Sequence, residues 1–142
     1  MIPFRDAVYR QHTEVALQSG ARLALGETLT AGRVAMGERD AYALLDLRLR
    51  VSLDGRPLLV ERARLEPAVR PLRVVGRHGS YACAGSLYLF GVPPGILDDE
   101  DDSVGLRWGH GVVDGLTIVR VLGATAQSVN AQIGRLLARA MP

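Results

Sequence analysis

The chain has 142 residues, of which 48% are hydrophobic and 23% are charged, and its formal net charge is +2 at pH 7. This hydrophobic share argues against a disordered chain, and the length suits one domain or part of one. All 17 basic residues are arginine. They alternate with leucine along predicted strands and do not cluster with aromatic residues, so the sequence predicts no nucleic-acid partner.

Several features of the sequence report on cellular location. Cys83 is the single cysteine of the chain, which excludes an internal disulfide and favours a reducing compartment. No apolar run approaches the roughly 20 residues of a membrane helix, and no charged and then apolar signal pattern begins the sequence. We therefore expect a cytoplasmic protein that does not bind membranes.

The first half of the chain has the period-two pattern of β-strands. Residues 9–17 alternate loosely, and residues 45–53 alternate strictly, with leucine and valine on one face and polar residues on the other. Asp54-Gly55 is a strong signal for a two-residue hairpin turn, so residues 58–66 are predicted to form the returning strand. Residues 66–71 are predicted to be a connector.

The second half of the sequence predicts further strands and one helix. Strands are predicted at residues 72–76, 81–92 and 116–122, and the acidic, glycine-rich segment 97–111 is predicted to be a loop or an irregular helical turn. Apolar residues recur at helical spacing from Ala126 to Ala140, so a helix starting at Ala124 or Thr125 is expected. The predicted class is mainly β, an antiparallel sandwich or a solenoid-like sheet, with a C-terminal α-helix.

Three glutamates stand where apolar residues are expected. Glu61 lies on a mostly apolar strand face, Glu27 lies at a predicted strand end, and Glu38 lies in a glycine turn. Because burying an unpaired charge is costly, one interpretation is structural: Glu38 pairs with Arg33 or Arg39, and Glu61 pairs with an arginine on a neighbouring strand. The other interpretation is an oxygen-lined path for a divalent cation, since carboxylates bind such ions.

The sequence offers little support for catalysis. His12, His78 and His110 are far apart and are predicted to be surface or loop residues. A small β enzyme acting through Cys83 and a histidine would lack the orienting third group, and no phosphate-binding motif occurs. The acidic run 98–102 has neither the spacing nor the glycine of a calcium loop and is predicted to be solvated. We therefore expect a protein that is not an enzyme.

A series of motifs resembles the urease accessory protein family UreD, also called UreH. The central motif, Gly-Glu-x-Leu-x-x-Gly-Arg-x-x-x-Gly-Glu, runs from Gly26 to Glu38 and includes Gly32, Arg33 and Gly37. Order and spacing agree with the family over nearly the whole chain. The other matching segments are Ile-Pro-Phe at 2–4, Tyr-Arg-Gln at 9–11, Pro-Leu-Leu-Val-Glu-Arg at 57–62, Gly-Ser-Leu at 85–87 and Leu-Thr-Ile-Val-Arg-Val-Leu-Gly at 116–123.

This resemblance implies a mainly β scaffold for urease maturation that is not itself an enzyme. Family members form a complex with UreF and the GTPase UreG and dock on urease apoprotein, and GTP hydrolysis by UreG is coupled to nickel insertion. The resemblance also implies an internal channel, partly lined by acids, through which nickel passes without being bound tightly. The matching channel acids are Glu27 and Glu61, whereas Glu38 matches the family turn and is expected to stabilise it.

The resemblance further implies that residues 1–142 are the C-terminal half of a larger domain. Family members are longer, so the chain is expected to be a fragment, a truncated gene prediction or half of a split protein. Sheet edges exposed by the missing N-terminal half would favour association.

The segment 93–111 departs from the family, which usually has a helix there. The alternative functions are a structural interaction domain without a metal role and an inactive truncated fragment.

Overall fold

The computed structural model describes residues 1–93, 95, 97 and 105–141 of the chain. These residues form a mainly β structure with one C-terminal α-helix, which confirms the fold class predicted from the sequence. The strands are β1 (Val8–Leu17), β2 (Leu23–Thr30), β3 (Gly32–Arg33), β4 (Glu38–Arg39), β5 (Leu44–Leu53), β6 (Arg56–Leu65), β7 (Cys83–Phe90), β8 (Leu106–Val113) and β9 (Leu116–Gly123), and the helix is α1 (Ala126–Ala140).

Two sheets make up most of the fold. The three-stranded sheet has the order β1-β5-β6 and the four-stranded sheet has the order β2-β7-β9-β8, while β3 and β4 form a short separate ladder. Neighbours in the four-stranded sheet are antiparallel, whereas β1 and β5 are parallel. Parallel neighbours need a long crossover, and here the chain passes through β2 of the other sheet before it returns as β5. The tight turns of the sequence do not predict this parallel pair.

The four-stranded sheet packs on both of its faces. On one face, Leu87 of β7 and Val119 of β9 belong to the core that α1 covers. On the other face, Tyr88 and Leu116 pack in one cluster with Leu49 of the three-stranded sheet. Successive side chains of a strand point to opposite faces, so β7 and β9 can serve both cores. The layers are therefore three-stranded sheet, four-stranded sheet and helix.

Helix α1 begins where the sequence predicts. Thr125 is its N-cap, and the hydroxyl oxygen of Thr125 accepts a 3.1 Å hydrogen bond from the backbone N–H of Ser128. Its buried face includes Val129 and Ile133, together with the fully buried Gln132, which the apolar pattern does not predict. The described part of the chain contains no helix long and apolar enough to cross a membrane.

The hairpin between β5 and β6 is also confirmed. Asp54 and Gly55 both have a positive φ, of 47° and 79°, as the tightest hairpin turns require. The two strands pair antiparallel, with one register shift between Val51 and Ser52. This pairing places Glu61 beside Leu49 on the face that packs against the four-stranded sheet.

Two predicted elements are wrong. Residues 72–76 form bends and turns instead of a strand, and no strand of the described residues pairs with them. The valines that suggested a strand, Val74 and Val75, are exposed. Residues 106–111, predicted as loop, belong to β8, which pairs antiparallel with β9. Gly109 and Gly111 hide the alternation of this strand. The acidic run 98–102 lies outside the described residues.

Candidate functional site

A cavity of about 570 Å³ lies between the two sheets. Sheets that pack face to face are about 10 Å apart, so short side chains leave space between them. Ala63 on β6 and Ala84 on β7 line the cavity from opposite sheets and fill little of that gap. The polar residues on its wall include Gln11, Glu27, Glu61, Ser86, Tyr88 and Arg120.

The cavity brings together Glu27 and Glu61, the two glutamates for which the sequence suggests a cation path. Glu27 on β2 is in register with Ser86 on β7, which is in register with Arg120 on β9. Residues in register on neighbouring strands share a face, so these side chains form one wall. Glu61 belongs to the opposite wall, on β6. The predicted strand end at Glu27 is wrong, because β2 continues beyond it.

Glu61 forms an ion pair that joins the two sheets. Its Oε2 lies 2.5 Å from Nη2 of Arg120, and Nη1 of Arg120 donates a 3.1 Å hydrogen bond to the hydroxyl of Tyr88. The guanidinium also lies over the Tyr88 ring, 5.1 Å from its centroid. The sequence predicts a partner on a neighbouring strand. The predicted pairing with an arginine is confirmed, but that arginine lies on the facing sheet, because the neighbour of Glu61 on β5 is Leu49.

The charge states around this ion pair follow from its surroundings. Burial raises the pKa of Tyr88, and the neighbouring Arg120 opposes that rise. Burial lowers the pKa of Arg120, but Tyr88 and Glu61 outweigh that effect, so the guanidinium pKa is raised overall. At neutral pH the phenol is therefore uncharged and the guanidinium is charged.

Glu27 has a neutral partner instead of a cation. Nε2 of Gln11 on β1 donates a 2.8 Å hydrogen bond to Oε1 of Glu27 and also bonds to Thr13 at 3.1 Å. Among the residues that the structure describes, no basic side chain forms an ion pair with Glu27. The charge of Glu27 is therefore not neutralised by a direct contact, unlike that of Glu61.

Glu38 lies in a separate structural turn. β3 and β4 place it opposite Arg33, one of its two predicted partners, whose guanidinium donates hydrogen bonds of 2.8 and 2.7 Å to the carboxylate. These bonds are the main cause of a lowered pKa for Glu38. A Cβ at Gly32 would lie 2.3 Å from the Glu38 carbonyl oxygen, and Gly37 ends the turn with left-handed backbone. Glu38 is not among the residues that line the cavity.

Sequence reasoning misses part of the cavity wall. His78 lies in a loop as predicted, but it is half-buried against the cavity, and burial lowers its pKa. Arg120 is a charged residue within the apolar run of β9. A charge on an apolar strand is also the signal that singles out Glu61, so Arg120 could have been predicted. Gln11, Ser86 and Tyr88 carry no comparable signal, since polar residues of these types are common in strands.

The donor groups suit brief contact with a cation better than tight coordination. Within residues 1–93, 95, 97 and 105–141, no group of three or more His, Cys, Asp or Glu side chains is placed to hold a metal ion. A closed structural site for a metal such as zinc has about four ligands, whereas Glu27 and Glu61 supply two carboxylates from opposite walls. Cys83 belongs to the core on the helix side, where burial raises the pKa of its thiol. A protonated, buried thiol is a poor ligand and nucleophile.

Comparison with known proteins reveals the relatives of the chain. The family model described as UreD urease accessory protein matches residues 1–142. The chain is 38% identical over 119 residues to urease accessory protein UreD 2 of Streptomyces griseus, covering 79% of this chain and 41% of that protein. It is 38% identical over 88 residues to UreD of Herpetosiphon aurantiacus (62% of this chain, 31% of the relative). It is 32% identical over 90 residues to UreH of Helicobacter hepaticus (63% of this chain, 36% of the relative).

These alignments cover less than half the length of each relative. The family match, in contrast, extends over every residue of the chain. It includes the segment from Gly26 to Glu38 that carries the central motif. The chain therefore belongs to the UreD family of urease accessory proteins.

Proposed function

We propose that the chain serves urease maturation as a conduit for nickel, without catalytic turnover of its own. In this proposal it acts in the cytoplasm in a complex with UreF and the GTPase UreG. Nickel passes through it to urease apoprotein while UreG hydrolyses GTP. Family membership supports a role in urease maturation. The observation that carries the conduit is the cavity between the sheets, whose opposite walls bear Glu27 and Glu61.

The chemistry of the cavity suits a divalent cation in transit. Carboxylate oxygens are ligands for such ions, and Glu27 and Glu61 offer them from opposite sides. One water occupies about 30 Å³ in the liquid, so a cavity of about 570 Å³ can admit an ion with bound water. With two protein carboxylates, an ion is attracted into the cavity but is not held there, as delivery requires.

The partners and the complete path belong to the whole protein. The aligned part of this chain covers 41% of the Streptomyces relative. The conduit proposal therefore assigns it one section of the path, the section that contains Glu27 and Glu61. Delivery of nickel to urease is therefore measured in the assembled maturation complex.

The test replaces each cavity acid by its uncharged isostere. Glu27→Gln and Glu61→Gln are each expected to lower the nickel content and activity of co-expressed urease about tenfold, equivalent to about 1.4 kcal/mol. Complex assembly, measured by size-exclusion chromatography, should be unchanged. Glu14→Gln is the matched control, because Glu14 is an exposed strand acid outside the cavity. Normal urease activation by both cavity variants would overturn the conduit.

A structural role for the acids is the second candidate function, favoured by the ion pair between Glu61 and Arg120. The double substitution Glu61→Met with Arg120→Met removes both charges and keeps long side chains that can pack. If the acids serve only structure, this folded double variant should deliver nickel as well as the natural chain. If the conduit is correct, delivery should remain as low as in Glu61→Gln.

A further inference from the structure

Arg120 occupies the carboxylate that an entering cation would need. Its Nη2 lies 2.5 Å from Glu61, and its Nη1 bonds to Tyr88 at 3.1 Å. A charge-assisted hydrogen bond of this kind competes with a metal ion for the same oxygen. Resting on the conduit function proposed above, we infer that Arg120 is a displaceable gate: a divalent cation replaces it at Glu61, and the guanidinium moves aside.

The structure has room for this movement. The side chains of Arg120 and Glu61 are 44% and 31% exposed, so the pair is not locked inside a core. On the neighbouring strand β8, Gly109 is in register with Arg120, and a Cβ at Gly109 would meet no atom of the described residues within 4 Å. The long, flexible arginine stem can therefore carry the guanidinium out of the cavity and over the open surface of Gly109.

The charges of Arg120, Glu61 and Glu27 favour a divalent over a monovalent ion at this gate. In the closed arrangement Arg120 neutralises Glu61, whereas Glu27 on the opposite wall accepts a hydrogen bond from Gln11 and forms no ion pair with any residue that the structure describes. A monovalent ion that replaced Arg120 would add no charge and would lose the hydrogen bonds of the arginine. A divalent ion adds one positive charge, which Glu27 attracts.

Nickel binding to the purified chain, measured by calorimetry with nickel chloride, tests the gate. Arg120→Gln removes the competing cation and is expected to tighten nickel binding about tenfold. In a Glu61→Gln background the same substitution should change the affinity by less than about twofold, because the carboxylate for which the two cations compete is absent. Arg120→Lys keeps a cation at the gate and should bind nickel nearly as the natural chain does.

Arg48→Gln is the matched control. Arg48 also lines the cavity, but its guanidinium contacts Asp46 and not Glu61. The substitution removes the same charge and should leave nickel affinity within about twofold of the natural value. If circular dichroism shows that Arg120→Gln does not fold, Arg120→Met replaces it, because methionine retains an apolar stem against Tyr88. Unchanged or weaker nickel binding by the folded, uncharged variant overturns the gate.

The conduit and the gate fail in different ways. If both Glu27→Gln and Glu61→Gln bind nickel with the affinity of the natural chain, the conduit is rejected and the gate with it. The same conclusion follows if neither the natural chain nor Arg120→Gln binds nickel at millimolar concentration. If Glu61→Gln weakens nickel binding but Arg120→Gln does not tighten it, the conduit stands and the gate alone is rejected.

Discussion

Gln11 on the three-stranded sheet donates a 2.8 Å hydrogen bond to Glu27 on the four-stranded sheet. In the second contact between the sheets the roles are reversed. The acceptor Glu61 belongs to the three-stranded sheet, and its donor Arg120 belongs to the four-stranded sheet. Each cavity carboxylate is thus held by a donor from the opposite sheet. These two contacts tie the sheets together and also decide which carboxylate is neutralised.

Gln11→Ala should destabilise the fold. Glu27 would keep its position in β2 but lose its hydrogen-bond donor, and an unsatisfied, partly buried group of this kind costs about 1 kcal/mol or more. The free energy of unfolding, from urea titrations followed by circular dichroism, measures the effect. Gln18→Ala, in an exposed turn, is the matched control and should change stability by less than about 0.5 kcal/mol. Equal losses in both variants would contradict the role of Gln11.

Asp46 should make stability depend on pH in the acid range. The side chain is buried, and hydrogen bonds from Arg62 and then Arg48 hold its pKa at about 2, below its ordinary value of 3.8. A carboxylate whose pKa is lowered by folding stabilises the folded state above its unfolded pKa, and this contribution is lost as pH falls through the folded pKa. We therefore expect the urea concentration at the unfolding midpoint to decrease as the pH is lowered from about 4 to about 2.

Substitution of Asp46 identifies its share of that pH dependence. Asp46→Asn should be less stable at pH 6 and should lose less stability between about pH 4 and pH 2, because the titrating group is absent. Glu14→Gln, at an exposed acid of the same sheet, should retain the natural slope. The same slope in Asp46→Asn would show that other acids cause the decline.

Gly85→Ala should destabilise the packing of the helix on the four-stranded sheet. A Cβ at Gly85 would lie 2.6 Å from Cγ1 of Val129 and 2.7 Å from Cδ1 of Ile133, both on the buried face of α1. Overpacking of this kind costs about 1–3 kcal/mol. Gly109→Ala is the matched control, since a Cβ there would meet no described residue within 4 Å, and it should change stability by less than about 0.5 kcal/mol. Thermal unfolding compares the two variants, and similar melting temperatures would contradict close packing at Gly85.

Most of the strands and the helix could be predicted because their signals are local. The alternation of β5, the Asp54-Gly55 turn and the helical spacing of α1 each depend on residues close together in sequence. β8 could not be recognised, because Gly109 and Gly111 replace the side chains that would show its alternation. The parallel pairing of β1 with β5 has no local signal either, since it depends on the chain crossing to the other sheet as β2 before it returns as β5.

The residues of the candidate site also divide into those that the sequence predicts and those that only the fold brings together. The sequence by itself determined that Glu27 and Glu61 are acids within β-rich segments and that Glu38 has arginines nearby, because strand periodicity and short spacing carry that information. Only the tertiary structure decided that Gln11 and Arg120 hold the cavity acids. The physical reason is that stacking of the two sheets joins side chains whose strands are not hydrogen-bonded neighbours, a relationship that periodicity along one strand does not encode.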